Sequence, residues 1–257
     1  PEGKVPVVTR LGRAIGRGIG LALARKGAKV VVNDVGCATD GRGTDQDPAA
    51  QVCKEIEAMG TKAVPSYDSV SEFESAGRII KTALDSFGRI DILVNNAGIL
   101  RDKAFHNMEP DEFDAVLKVH LYGGFNCSRH AIGPMREQKY GRIINIVSSA
   151  GLRGNFGQAK YRAAKAGLMG LTFVLAVEFM KGNAEGKWSL TANALAPAGM
   201  TRMVGTMPGM EGRPVPPEMN PDLNGPIVAF LGSEKAAHVN GQVFGRRGYA
   251  YTLFQTP

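Results

Sequence analysis

Short apolar runs recur along the chain with amphipathic stretches between them. The runs "VPVV", "KVVVN", "KAVPS", "RIDILVNN", "GRIINIVSS", "SLTANAL" and "GQVF" are too short for helices and are rich in Val and Ile. Between them, 16–26, 48–59, 71–87, 110–131 and 159–180 carry helical periodicity bounded by Gly and Pro. This alternation is the pattern of β-α-β units, in which a parallel sheet is covered by helices on both faces and its strands are apolar throughout. The expected fold is α/β, a doubly wound Rossmann-type parallel sheet of about seven strands. Pro6 sits oddly in that scheme, because proline cannot donate to a sheet ladder and its run should be central.

No internal repeat interrupts the pattern, and 1–257 reads as one domain. The exception is 205–222, "GTMPGMEGRPVPPEMNPD", dense in Pro, Gly and Met. Such a segment is expected to be a loop, either a mobile insertion or a lid, and Met203, Met207, Met210 and Met219 would suit an adaptable apolar cover.

Composition narrows the function classes. At 44% hydrophobic and 21% charged, the 257 residues have the balance of a globular protein. No apolar run approaches a membrane span and the N-terminus lacks the apolar stretch of a secretory signal, so a cytoplasmic protein with no membrane partner is expected. Cys37, Cys53 and Cys127 are too few and scattered for a disulfide framework, and no metal-ligand spacing is present. The net charge of +7 is dispersed, which fits an anionic nucleotide or acyl-CoA better than nucleic acid, for which no helix-turn-helix or finger spacing appears.

The chemistry begins at "TRLGRAIGRGIG", 9–20. A helix starting at Gly16 has about three turns before strand two, so Gly16 is the better last glycine of a phosphate turn; starting at Gly20 it has under two. That frame puts Arg10 and Ala14 where a dinucleotide turn wants glycine, for a tight bend and for close approach of the diphosphate, and either residue should hinder the fit. Asp34 ends strand two, where a carboxylate accepts from the adenosine ribose hydroxyls and repels a 2′-phosphate. This argues for NAD over NADP, against the contrary pull of the Arg13 cation.

Tyr161 and Lys165 lie four apart on a predicted helix and share a face. An ammonium beside a phenol favours the phenolate, which would make Tyr161 a general acid/base, although the pair alone is equally an ordinary exposed helix face. Ser148 follows an apolar strand at the edge where parallel sheets place ligand crevices, and "NNAG", 95–98, ends another.

Together these residues resemble the short-chain dehydrogenase/reductase family over essentially the whole chain. The match is carried by "NNAG", Ser148, Tyr161-x-x-x-Lys165, Asp68 in "YDSV" and "HVNGQVFGRRG". The resemblance implies that Tyr161 exchanges the substrate proton, Lys165 binds the nicotinamide ribose and lowers the tyrosine pKa, and Ser148 orients the carbonyl. It implies cofactor contacts from Thr9, Gly12, Arg13, Ile15 and Gly16 of the phosphate turn, with Asp68 and Ser69 at the adenine. Asn95, Asn96, Ala97 and Gly98 would line the cofactor, and Pro197 to Thr201, including Gly199, would close near the nicotinamide. Family members often carry Asn in the helix after strand four as part of a proton relay; His120 of "VLKVHLYGGF" aligns there and is either a relay or a satisfied core histidine.

Within the family, His120, the loop at 36–47, "NNAGILRD", "KYGRII" and "GNFGQA" are most similar to the dehydrogenase unit of peroxisomal multifunctional β-oxidation enzymes and bacterial relatives. That implies hydride transfer between NAD and a (3R)-hydroxyacyl-CoA, in fatty acid or steroid metabolism. The alternatives are an NADPH-dependent 3-oxoacyl-thioester reductase, a hydroxysteroid dehydrogenase, and, in a different class, a non-catalytic dinucleotide-binding module with a decayed phosphate loop. The resemblance also implies a homo-oligomer, dimer or tetramer, formed through the helices at 110–131 and 159–180.

Overall fold

The computed structural model describes residues 1–200 and 214–255. Its strands form a single sheet in the order β3-β2-β1-β4-β5-β6-β7-β8. Strands β1 (Pro6–Thr9), β2 (Val30–Asn33), β3 (Ala63–Ser66), β4 (Ile92–Asn95), β5 (Tyr140–Ile146), β6 (Ser189–Ala196) and β7 (Val243–Arg247) pair in parallel, each in the apolar run that predicted it. β8 (Ala250–Phe254) adds an antiparallel edge that the sequence pattern did not predict. Its residues are mostly exposed, so "AYTLF" carries no buried apolar run to announce it.

Helices α1 (Ala14–Ala24), α2 (Asp47–Glu57) and α8 (Gly225–Leu231) cover one face, packing Ile19, Leu23, Val52, Ile56 and Val228 against Val8, Val32 and Ile92. Helices α3 (Phe73–Phe87), α5 (Gly123–Glu137) and α7 (Ala159–Ala184) cover the other, burying Ile79, Ile80, Cys127 and Phe179 against Val7, Val31, Leu93 and Ile143. β1, β2, β4 and β5 are buried along their whole length, which is why their sequences show no alternation.

Four expectations need correction. Pro6 is in a central strand, but as its first residue, a place where proline is tolerated. The expected helix at 110–131 is α4 (Pro110–Leu117), a π-helical turn at Lys118–Tyr122, and α5. α4 starts on a capping box in which Glu109 and Glu112 satisfy each other's backbone N–H groups. The first helix begins at Ala14 rather than Gly16. Finally, α7 is long and apolar enough to cross a membrane, with a mean hydropathy of 1.5 in its most apolar window. Its inner face, including Leu168, Leu175 and Phe179, packs on the sheet as a core helix does.

Of the 205–222 segment, 205–213 lie outside the described residues. The remainder forms two short 3₁₀ turns, Pro217–Met219 and Pro221–Asn224, and Asp222 packs so closely on Gly18 of α1 that a Cβ there would lie 2.6 Å from the Asp222 Cα.

Candidate active site

The strand order reverses between β1 and β4, so the loops after their carboxyl ends diverge and leave a crevice. The phosphate turn of 9–16 forms its floor. Arg10 has φ of 52° and Ala14 has φ of 49°, both in the left-handed region that glycine occupies without cost. The two positions where the sequence departs from the glycine pattern are therefore the two where this backbone bends as glycine would. The third glycine is indispensable: a Cβ on Gly16 would come within 2.2 Å of the Arg10 carbonyl oxygen.

Asp34 is buried, and its carboxylate accepts from the backbone N–H of Gly12 at 2.8 Å and of Gly36 at 2.7 Å. It thus ties the phosphate turn to the loop after β2 and also lines the crevice. Arg13 lines the crevice too, with its guanidinium 3.2 Å from Asp45 in an ion pair. Ile15 and Gly16 line the same cavity. A continuing cavity past β3 is lined by Asp68, Ser69, Ala97 and Gly98; Asp68 is held by Arg78 at 2.7 Å, and its carbonyl accepts from Asn33 Nδ2 at 2.9 Å.

Two residues expected at the cofactor also hold the strand ends together. Thr9 is buried, and its hydroxyl accepts from the backbone N–H groups of Asn96 and Ala97, both at 2.9 Å, fixing the loop after β4 to β1. Asn95 turns into the core, where Nδ2 donates to Asn145 at 2.8 Å and Ser128 at 3.1 Å. Its neighbour Asn96 faces the cavity and donates to the Thr9 and Arg10 carbonyls. The sequence singled out the tetrapeptide at 95–98, but apolar strand content does not show which of its two adjacent asparagines is the last to point inward.

At the far end stand Tyr161 and Lys165 on the first turns of α7, with Ser148 at the start of α6 (Ser149–Leu152). Ser148 caps α6, its hydroxyl accepting from the Ala150 N–H at 3.1 Å. Lys165 is buried and donates to the Ile146 carbonyl at 2.6 Å; burial and the Arg10 charge push its ammonium down to about 7. The Tyr161 hydroxyl departs from expectation, since burial raises its pKa and the nearby Asp102 charge adds to this, while hydrogen bonding with Ser148 opposes both. In the protein alone, desolvation is the largest influence on this hydroxyl.

His120 is buried in the π-helical turn, a local widening often found at functional sites. Its Nε2 lies 2.8 Å from the Ile99 carbonyl and 3.0 Å from the Ile99 N–H, and Nδ1 has no hydrogen-bond partner among the described residues. The ring meets Tyr161 at 5.1 Å between centroids and packs so tightly on Gly98 that a Cβ there would lie 2.3 Å from Cε1. Burial above all, with Lys165 and Arg10 nearby, holds its pKa well below 6.5. Gln158, just before α7, donates to Asp102 at 2.8 Å, and the Lys103 N–H donates to the Gly157 carbonyl at 2.9 Å. These contacts pin the start of the helix that carries Tyr161; the sequence reading missed both Gln158 and Asp102.

Pro197 closes the cavity, and the chain beyond it is clamped by buried Asn224, which exchanges hydrogen bonds with Ala198 at 3.2 and 2.8 Å. A Cβ on Gly199 would lie 3.1 Å from the Pro221 Cα, so Gly199 serves close packing. Thr201 lies outside the described residues.

A doubly wound sheet with a buried carboxylate after β2, a turn of glycine-type backbone after β1 and a Ser-Tyr-Lys set is the arrangement of an oxidoreductase that binds a nicotinamide dinucleotide. Its residues fit that group: the Gly16 cradle admits no side chain, and Asp34 and Lys165 line one crevice. Comparison with known proteins agrees. Residues 4–207 match the family model described as short chain dehydrogenase. The chain is 42% identical over 95% of its length to the mouse peroxisomal multifunctional enzyme type 2, of which it spans only 31%. It is 40% identical over its full length to a hydroxyacyl-CoA dehydrogenase of Mycobacterium tuberculosis, covering 81% of that protein. The structure superposes on a short chain dehydrogenase from Mycobacterium avium with a TM-score of 0.84 and 40% identity, over 99% of this chain and 86% of the other. This chain belongs to the short-chain dehydrogenase/reductase family.

Proposed function

We propose that the protein oxidises the 3-hydroxyl of a (3R)-hydroxyacyl-CoA with NAD, or runs the reverse reduction. The single observation that carries the activity is that Tyr161 and Lys165 line the same crevice as Asp34, with Ser148 hydrogen-bonded to Tyr161. The bound dinucleotide supplies the hydride acceptor. Tyr161 takes the hydroxyl proton as the carbonyl forms, and Ser148 orients the reacting oxygen. Lys165 holds the nicotinamide ribose and lends positive charge that favours the phenolate. His120 stays neutral and fixes the 97–99 loop from behind Tyr161.

NAD preference is supported by Asp34, whose charge meets a 2′-phosphate directly, and by the engagement of Arg13 with Asp45. The acyl-CoA class is supported by the named activity of the mycobacterial relative. Self-association through α5 and α7 is supported by exposed Phe125 on the first and Val174, Val177 and Met180 on the second.

The test is steady-state turnover of (3R)- and (3S)-hydroxyacyl-CoA with NAD and NADP. Turnover of the (3R) thioester with NAD is expected. Preference for NADPH and a 3-oxoacyl thioester would instead favour a reductase.

A further inference from the structure

The residue before Tyr161 breaks a rule of protein interiors. Lys160, on the first turn of α7, is wholly buried, and its ammonium has no hydrogen-bond partner among the described residues. Oε2 of Glu112, on α4, stands 4.0 Å from it, and an ammonium taken out of water costs more than so long a contact returns. Asp102, in the loop after β4, attracts the same ammonium, whereas Lys103 and Arg101 repel it; burial lowers its pKa and the two carboxylates raise it. Neither carboxylate depends on Lys160. Glu112 pairs with Lys103 at 3.3 Å and accepts from the Glu109 N–H at 3.1 Å, and Asp102 accepts from Gln158 at 2.8 Å. The buried charge therefore meets no need of its own partners.

What it adjoins is the tyrosine. The negative charge of Asp102 opposes ionisation of the Tyr161 hydroxyl, and Lys160 is a positive charge set against that carboxylate one residue from the phenol. α4 and α7 also share an apolar cluster through Val116, Ala164 and Tyr161. The other groups facing Tyr161 are His120 from the π-helical turn, Ser148 from the start of α6 and Lys165 from its own helix. Arg10, Arg13, Asp34 and Cys37 line the same crevice. We propose that Lys160 is a positioning residue for Tyr161: its buried ammonium draws the first turn of α7 toward α4 and offsets the negative charge that Asp102 presents to the tyrosine hydroxyl. The inference rests on the proposed role of Tyr161 as proton acceptor and adds a group that acts on it from outside the crevice, which Lys160 does not line.

The test is the pH dependence of kcat for oxidation of a (3R)-hydroxyacyl-CoA with NAD, with NAD binding and thermal melts measured alongside. Lys160→Met removes the charge at similar length, Lys160→Arg keeps it, and Asp102→Asn removes the opposing charge while its amide oxygen still accepts from Gln158. Because both carboxylates keep other partners, Lys160→Met is expected to melt at or above the wild-type temperature and to bind NAD within about twofold of it. In oxidation the phenolate is the active form, so an unbalanced Asp102 moves the rising limb of the profile to higher pH. The expected displacement is about half a pH unit or more upward in Lys160→Met and downward in Asp102→Asn, with little change in Lys160→Arg. The double variant Lys160→Met/Asp102→Asn should return toward wild type. A merely structural lysine would leave the limb where it is. Rising limbs that coincide in wild type and Lys160→Met overturn the inference; should Lys160→Met not fold, an Asp102→Asn limb that coincides with wild type overturns it equally. Wild-type protein with no turnover of this substrate overturns the reading of Tyr161 itself, and this inference with it.

Discussion

The rings of His120 and Tyr161 stand at 85° to each other with their centroids 5.1 Å apart. This places an unprotonated imidazole behind the tyrosine, and its buried state has a thermodynamic consequence. Below about pH 6.5 the unfolded chain takes up a proton at this histidine that the folded chain refuses, so stability falls with pH. Replacing His120 with Asn removes that difference. The loss of melting temperature between about pH 7 and about pH 5 should be smaller in His120→Asn than in the wild type. Equal losses would mean that His120 titrates normally in the folded protein.

Lys165 makes the opposite end of the pH scale informative. Its folded pKa is about 7 and its ordinary value 10.5, so at or below neutral pH the folded protein carries a buried charge at full cost. Between those two values the folded protein sheds the proton while the unfolded chain keeps it, and stability recovers as pH rises. Lys165→Met should therefore be more stable than wild type near pH 7, with the advantage shrinking toward about pH 10. Thermal melts across that range in the absence of cofactor check this, and a constant difference would contradict it.

The strained turn gives a prediction independent of catalysis. Ala14 adopts φ of 49°, which costs an L-residue of this kind on the order of 1 kcal/mol. Ala14→Gly should raise the melting temperature by roughly 2–4 °C, the shift about 1 kcal/mol produces in a chain of this size. A lower melting temperature would show that Ala14 gains more from its contacts than it loses to strain.

The sequence made much of this visible because the site is built from short local motifs on a strongly patterned sheet. All seven parallel strands follow from short apolar runs, and the spacing of Tyr161 and Lys165 follows from helical geometry. What it hid depends on distant contacts. Asn95 and Asn96 are chemically identical, and only the pairing of β4 with β5 puts the first against Asn145. The break of one expected helix at Lys118–Tyr122 leaves no Gly or Pro inside the turn to mark it. Arg10 and Ala14 looked like damage to a motif, whereas the backbone retains the glycine conformation under both. The sign of the Tyr161 shift was also out of reach, since spacing reveals the neighbouring lysine but not the burial that raises the pKa.

Single-turnover formation of reduced nicotinamide from a (3R)-hydroxyacyl-CoA, measured for wild type and Tyr161→Phe with NAD binding followed in parallel, tests the central claim most directly. The account predicts that the variant binds NAD within about twofold of wild type and loses roughly 10²- to 10⁴-fold in the chemical step, the usual contribution of a positioned general acid/base. A variant that turns over at the wild-type rate, or a wild type that forms no reduced nicotinamide from this substrate while binding NAD, would contradict it.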